Sequence, residues 1–194
     1  DINRAISSDY TNKVDSVEVS QMSTDGASDN RETPYSNPQW AKWWGLFNQY
    51  SDLQSALLMK SVWNVGKGWT ANDRVTAIFE NISGLGKDTF DDILFNLDVV
   101  RQINGDSYAE IVLNESGTLI NLKPLDPGSM VHVVGKDGRL IRYEQTSKIK
   151  DNPNKKFRTD EIFHLSHNRL ADQIHGISDI KAVEKTILAD NESF

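Results

Sequence analysis

The stretch from Asn104 to Tyr143 leaves this chain the fewest choices of fold. Four short runs, 104–113, 118–122, 130–134 and 139–143, are rich in β-branched and aromatic residues, and Gly, Asn, Asp or Pro stand between them. That composition and punctuation read as four strands. Asn114-Glu115-Ser116-Gly117 and Gly135-Lys136-Asp137-Gly138 carry the Gly and Asx residues that hairpin turns use where φ must be positive. Four strands joined by turns this short predict an antiparallel meander, which by itself names no activity.

Helical patterns flank the meander. Asn37 is a good N-cap and Pro38 suits a first helical position, so a helix is expected from Pro38 to about Trp63. Along it Trp40, Trp43, Trp44, Phe47 and Tyr50, then Leu53, Leu57 and Leu58, step by three and four. Val65-Gly66-Lys67-Gly68-Trp69 breaks the pattern, and a short periodic piece follows at Val75, Ile78, Phe79 and Ile82. After Gly84-Leu85-Gly86, Asp88 or Thr89 caps a helix whose apolar positions are Phe90, Ile93, Leu94, Leu97, Val100 and Ile103. Asn104-Gly105 ends it in the left-handed manner. Beyond the meander come a polar loop at 146–154, a fifth strand from Phe157 to Leu165, a loop at 167–175, and a last helix N-capped by Ser178. The expected class is therefore α+β: N-terminal helices packed with a small antiparallel meander, and a C-terminal helix.

Residues 1–37 are rich in Ser, Asp, Asn and Thr and bury too little apolar surface to offset ordering, so they are expected to form a flexible polar arm. A weak alternation at Val14, Val17 and Val19 could become a strand against a neighbour. Residues 38–194 form the expected domain, in keeping with a 194-residue chain that is 38% hydrophobic and 25% charged. No apolar run approaches bilayer length and nothing at the start reads as a signal peptide. The absence of cysteine excludes disulfides and thiolate metal sites. The Asn-x-Ser matches at Asn81, Asn114 and Asn191 read as chance.

The net charge of −7 argues against a duplex-DNA binder. It is unevenly spread. Residues 1–37 hold seven acids against three bases, whereas 141–158 hold six bases against two acids. Within the basic run Lys148, Lys150, Lys155, Lys156 and Arg158 read either as a solvated hairpin edge or as a contact to nucleic acid or an acidic neighbouring subunit.

Four patterns could carry chemistry. Gly105-Asp106-Ser107-Tyr108-Ala109 imitates a nucleophile elbow, but an elbow runs strand, turn, helix, and here the helix comes first. Gly84-Leu85-Gly86-Lys87-Asp88-Thr89 lacks the first glycine of a phosphate loop and puts Asp88 where phosphate would sit. His164, His167 and His175 with Asp172 offer zinc-ligand types, yet His164 and His167 fall on opposite faces of a strand, and a structural or surface role is the commoner one. Trp40, Trp43, Trp44 and Phe47 could form an aromatic platform for a sugar or base, or a packed helix face within the core or between subunits. No catalytic, cofactor or metal site is expected. The competing readings are a Ser hydrolase on Ser107 and an aromatic-platform binding module.

Gly105-Asp106-Ser107-Tyr108-Ala109-Glu110-Ile111, the Gly117 turn and Leu122-Lys123-Pro124-Leu125-Asp126-Pro127 resemble the central part of tailed-phage portal proteins. Further on, Asp160-Glu161-Ile162-Phe163-His164-Leu165 resembles that family's acidic-apolar-His segment. Gly176-Ile177-Ser178-Asp179-Ile180 resembles its Gly-x-Ser-Pro helix start, with Asp179 in place of the usual Pro. The pieces keep order and spacing, best over 86–178. The resemblance implies a wing-region fragment, ending before the stem and clip, of a homo-oligomeric ring, typically dodecameric, at one capsid vertex. It implies as partners the major capsid protein, the terminase large subunit and neck or adaptor proteins. Double-stranded DNA would pass through the channel and meet mostly regions outside this chain. The location implied is the virion, with assembly in the host cytoplasm, and no membrane partner is implied. A chain that lacks an initial Met and stops within a helical pattern is also expected to be a fragment.

Overall fold

The computed structural model describes residues 32–149 and 152–191. In chain order they form β1 (Thr33–Ser36), α1 (Trp40–Gln49), α2 (Ser51–Val65), α3 (Asp73–Phe79), α4 (Phe90–Asn104), β2 (Asp106–Leu113), β3 (Leu119–Leu125) and a 3-10 turn (Pro127–Ser129). Then come β4 (Met130–Val134), β5 (Leu140–Gln145), β6 (Lys155–Arg158), β7 (Ile162–Ser166) and α5 (Asp179–Asn191). The class is α+β, with antiparallel strands, packed helices and a closing helix, as the sequence leads one to expect.

The strands divide between two antiparallel sheets, in the orders β1-β4-β5-β6 and β3-β2-β7. The expected four-strand meander is thus a β2–β3 hairpin in one sheet and a β4–β5 hairpin in the other. The switch falls at Pro124 to Pro127. Pro124 has no N–H for a ladder and sits on β3, an edge strand, opposite Ala109. Asp126 then accepts from Gly128 N and caps the 3-10 turn that redirects the chain. The expected fifth strand is likewise two. Arg158 N donates to Glu161 Oε2 at 2.7 Å and Glu161 N to Arg158 O at 3.1 Å, which makes a turn between β6 in one sheet and β7 in the other.

The single helix expected over 38–63 is broken at Tyr50, whose φ of −111° and ψ of 104° are extended. Just before the break, Asn48 Nδ2 donates back to Trp44 O at 2.7 Å, one turn earlier in α1. Gln39 occupies the N-cap position, and Asn37 instead donates to Asn104 O at 3.2 Å. Residues 33–36, at the end of the polar N-terminal segment, are paired with β4. Val14, Val17 and Val19 lie outside the described residues.

Other start and stop signals hold. Thr89 and Asp92 form a reciprocal capping box at α4. Gly105 takes φ +90° at its end, and a Cβ there would run into the Gly176 carbonyl. Ser178 Oγ accepts from Ile180 N at 3.1 Å at the start of α5.

Period-two alternation along β2 and β7 sorts the layers. Ala109, Ile111, Phe163 and Leu165 pack with Ile93 and Leu97 of α4 on one face. Tyr108 and Ile162, on the other face, pack with Met130, Tyr143 and Phe157 of the four-stranded sheet. A third cluster joins the helices: Trp43, Leu46, Phe47, Leu57, Val99, Ile103 and Ile180.

Candidate functional site

The α4–β2 junction gathers more polar side chains than any apolar cluster would tolerate without partners. Its centre is Asp106, fully buried as the first residue of β2. Asp106 Oδ1 meets His164 Nε2 at 2.8 Å, and Oδ2 meets His175 Nδ1 at 2.9 Å. Gly176 N donates to both oxygens at 3.1 Å. The topology explains the meeting. Asp106 and Tyr108 share a face of β2, and Tyr108 lies opposite His164 in β7. His132 lies between Tyr35 and Tyr143 across the facing sheet. The 167–178 loop brings His175 in above them.

The rings form a closed stack. His132 stacks on His175 at 4.4 Å between centroids, and Tyr108 on His164 at 4.8 Å. Tyr108 Oη meets His132 Nε2 at 2.9 Å, and Tyr143 Oη meets His164 Nδ1 at 3.2 Å. Electrostatics follow from that burial. Burial opposes ionisation of Asp106, but hydrogen bonds from His164 and His175 outweigh it and hold the carboxyl well below the ordinary range. Burial, then the neighbouring His175 and His164, push His132 down to about 2, so its ring is neutral. Burial and the Asp106 charge raise Tyr108 well above the ordinary phenol value and Tyr143 to about 12.

A second network runs beside the first. Asp98 pairs with Arg101 and accepts from Gln102 Nε2 at 2.7 Å and Asn64 Nδ2 at 3.1 Å. Arg101 Nη1 donates to His167 Nδ1 at 3.2 Å, and His167 Nε2 donates to Asp179 Oδ1 at 2.8 Å. Lys60 Nζ reaches Asp179 Oδ2 at 2.7 Å. Backbone bonds from His167 N to Gly105 O, 2.7 Å, and from Ile177 N to His167 O, 2.8 Å, tie this network to the junction.

Of the residues that sequence singles out, His164 and His175 meet on Asp106, while His167 serves the second network. Among the described residues no group of three or more His, Asp and Glu is arranged to hold a metal ion. Ser107 is fully buried within β2 opposite Leu165, after a helix and not before one, so it has no elbow geometry. In the glycine loop Gly84 N and Leu85 N are taken by Asn121 Oδ1 and Asp88 Oδ2, both at 2.9 Å, which occupies donors a phosphate would need.

Trp43 and Phe47 are buried in the helical core; Trp44 is 43% exposed and stacked between Trp40 and Phe47. Lys148 pairs with Asp126 at 3.2 Å, Lys155 with Glu110 at 2.7 Å and Arg158 with Asp160. Lys156 stands opposite Glu144 across β5 and β6, and Lys150 lies outside the described residues. Sequence reasoning missed Asp106, Tyr108, His132 and Tyr143 as a group. The available signal lay in β2, where Asp106, Tyr108 and Glu110 alternate with Ala109 and Ile111; His132 in β4 and Tyr143 in β5 carry no such alternation.

The described residues thus form an α+β domain with a hydrogen-bonded polar network in its interior, in which Gln102 Oε1, Asn104 Oδ1, Ser107 Oγ and His132 Nδ1 are buried without a side-chain hydrogen-bond partner. No family model matches the sequence, and no curated protein matches it. Solved structures do. The chain is similar to one in the virion of a native gene transfer agent particle, with TM-score 0.69 and 18% identity over 82% of this chain and 44% of that one. It is similar to one in the neck of the empty particle computed with C6 symmetry, with TM-score 0.69 and 19% identity over 82% and 45%. In the neck of the native particle computed with C12 symmetry the figures are 0.67, 16%, 86% and 45%. Likeness at these identities establishes the fold. The chain spans less than half the length of those chains.

Proposed function

We propose that this chain is a structural component of a phage-like particle, and more narrowly the wing part of a portal subunit. The subunit belongs to a homo-oligomeric head–tail connector ring, a dodecamer, at one capsid vertex. The ring forms the channel for genome packaging and ejection, and it docks the terminase large subunit, the major capsid protein and neck proteins. The observation that carries the reading is the shared fold over 82–86% of the chain with chains from the virion and neck of gene transfer agent particles. The ordered portal-like segments from Gly105 to Ile180 support it independently of that fold. The site geometry agrees: a polar cluster sealed between sheets suits holding shape and not turning over substrate. On this reading Lys148, Lys150, Lys155, Lys156 and Arg158 are candidate contacts to nucleic acid or a neighbouring subunit. The outer edge of the Trp40, Trp43, Trp44 and Phe47 face is a candidate subunit interface.

Electron microscopy of the longest natural form of the protein tests the proposal. Rings with rotational symmetry are expected. A species that stays monomeric at high concentration, and that leaves particles filled with DNA when deleted, sinks it.

A further inference from the structure

Hydrogen-bond chemistry assigns the histidine protons at the junction one by one. Arg101 can only donate, so His167 Nδ1 accepts and its Nε2 carries the single hydrogen, given to Asp179. His164 gives Nε2–H to Asp106, and its Nδ1 meets the Tyr143 hydroxyl, which can donate or accept, so one hydrogen is enough to satisfy that ring. His175 differs. Its Nδ1 faces Asp106 Oδ2 at 2.9 Å, and its Nε2 faces the Tyr35 backbone carbonyl at 3.2 Å. A carbonyl only accepts, and so does an ionised carboxylate. Both ring nitrogens must therefore carry hydrogen. A proton placed on Asp106 instead would forfeit an acceptor at a carboxyl that already takes N–H groups from His164 and Gly176 on both oxygens.

We infer that His175 is a buried imidazolium that latches the first strand and the last helix of the fold to one carboxylate. Tyr35 belongs to β1, Asp106 opens β2, and His175 and Gly176 lead into α5. One side chain thus couples elements 140 residues apart in sequence. Asp106 supplies the counter-charge from β2, and His132 from β4, His164 from β7 and Tyr108 from β2 face the pair, with His132 and Tyr108 held neutral by burial. Losing the His175 proton would set an unprotonated nitrogen against an acceptor oxygen, and protonating Asp106 would remove the anion. Either change frees β1 and the 174–178 segment together. The latch is a property of the folded chain and holds whether or not the chain assembles into a ring.

Long-range proton–nitrogen NMR of the 15N-labelled chain at neutral pH reads the protons directly. Both His175 ring nitrogens are expected at the protonated position, with His167 showing one protonated and one bare nitrogen. A bare nitrogen on His175 overturns the inference. The second measurement uses Asp106→Asn. His175 is expected to become neutral, and amide exchange at 33–36 and 174–181 to quicken at least ~10-fold while 93–103 in α4 keeps its protection. Unchanged exchange at both ends overturns the coupling. If the variant does not fold, the native spectrum alone decides the proton assignment.

Discussion

Two regions of this molecule are equally dry and are built from opposite materials. Among the helices Leu46, Phe47, Leu57, Val99, Ile103 and Ile180, which carry no polar side-chain atom, pack with Trp43. Each such side chain contributes about 1.5–3 kcal/mol by leaving water, and no single geometry is required of it. Between the sheets Asp106, His132 and His175 are buried as deeply and His164 is half-buried beside them, and every one depends on an oriented partner. Burying such a network gives little net stability, whereas breaking it is costly. The helical layer supplies stability; the inter-sheet layer supplies a specific arrangement of β1, β2, β7 and α5.

Substitutions in the two layers test that contrast most severely. Asp106→Ala leaves the Gly176 N–H and two histidines without their acceptor and is expected to cost about 3–5 kcal/mol in urea unfolding. Phe47→Ala opens a cavity and is expected to cost a similar amount, about 3–5 kcal/mol. The profiles against pH should separate them. The Asp106 carboxyl is held below its ordinary value in the folded state, so its stabilisation is complete above the ordinary carboxylate range and is lost as pH falls below it. Phe47→Ala should lower the native profile by a constant, and Asp106→Ala should flatten its acid limb. Equal flattening in both would abolish the distinction between the layers.

How much of each layer is visible in sequence follows from the same contrast. Apolar residues at helical spacing announce their burial, and Thr89, Gly105 and Ser178 announce the ends, because caps and periodicity are local. The polar layer is not local. Asp106 after a glycine reads as a turn residue, and Asp106, Tyr108 and Glu110 on one strand face read as a solvent side. Only the turn at Pro124 to Pro127, which sends β4 and β5 to a second sheet, converts that face into an interior. The same rule explains why Tyr50 was missed as a break. Its extended backbone answers to packing between α1 and α2 and to no strong breaker in the sequence.

The next effect is smaller and belongs to one ring. His132 is pushed from 6.5 to about 2 by burial beside His175 and His164, so the folded chain keeps it neutral while the unfolded chain protonates it near 6.5. A depressed folded value stabilises fully above 6.5, and this contribution falls away as pH drops from there toward 2. It amounts to as much as about 1.4 kcal/mol per pH unit. Asp106, His164, His175 and Tyr108 surround the ring and shape the total profile. His132→Phe isolates the single site: it loses the Tyr108 hydrogen bond at every pH but should show a shallower acid slope just below 6.5. Identical slopes in the two proteins would mean that His132 is accessible to protons in the fold.

The smallest effect lies at the wet rim between the same two sheets. Lys155 of β6 reaches Glu110 of β2 at 2.7 Å and lies over the Phe157 ring at 4.4 Å, with its side chain 56% exposed. A pair in that setting is screened by water and salt, so Lys155→Ala is expected to cost less than about 1 kcal/mol, and less still in high salt. A measured cost above about 2 kcal/mol would mean that rim charge pins the sheets together as firmly as the buried carboxylate does. A small cost carries a functional corollary. Lys155 could then exchange Glu110 for an anionic partner with little loss of fold stability, which the proposed subunit contact requires of it and which His175, with both nitrogens committed inside, could not do.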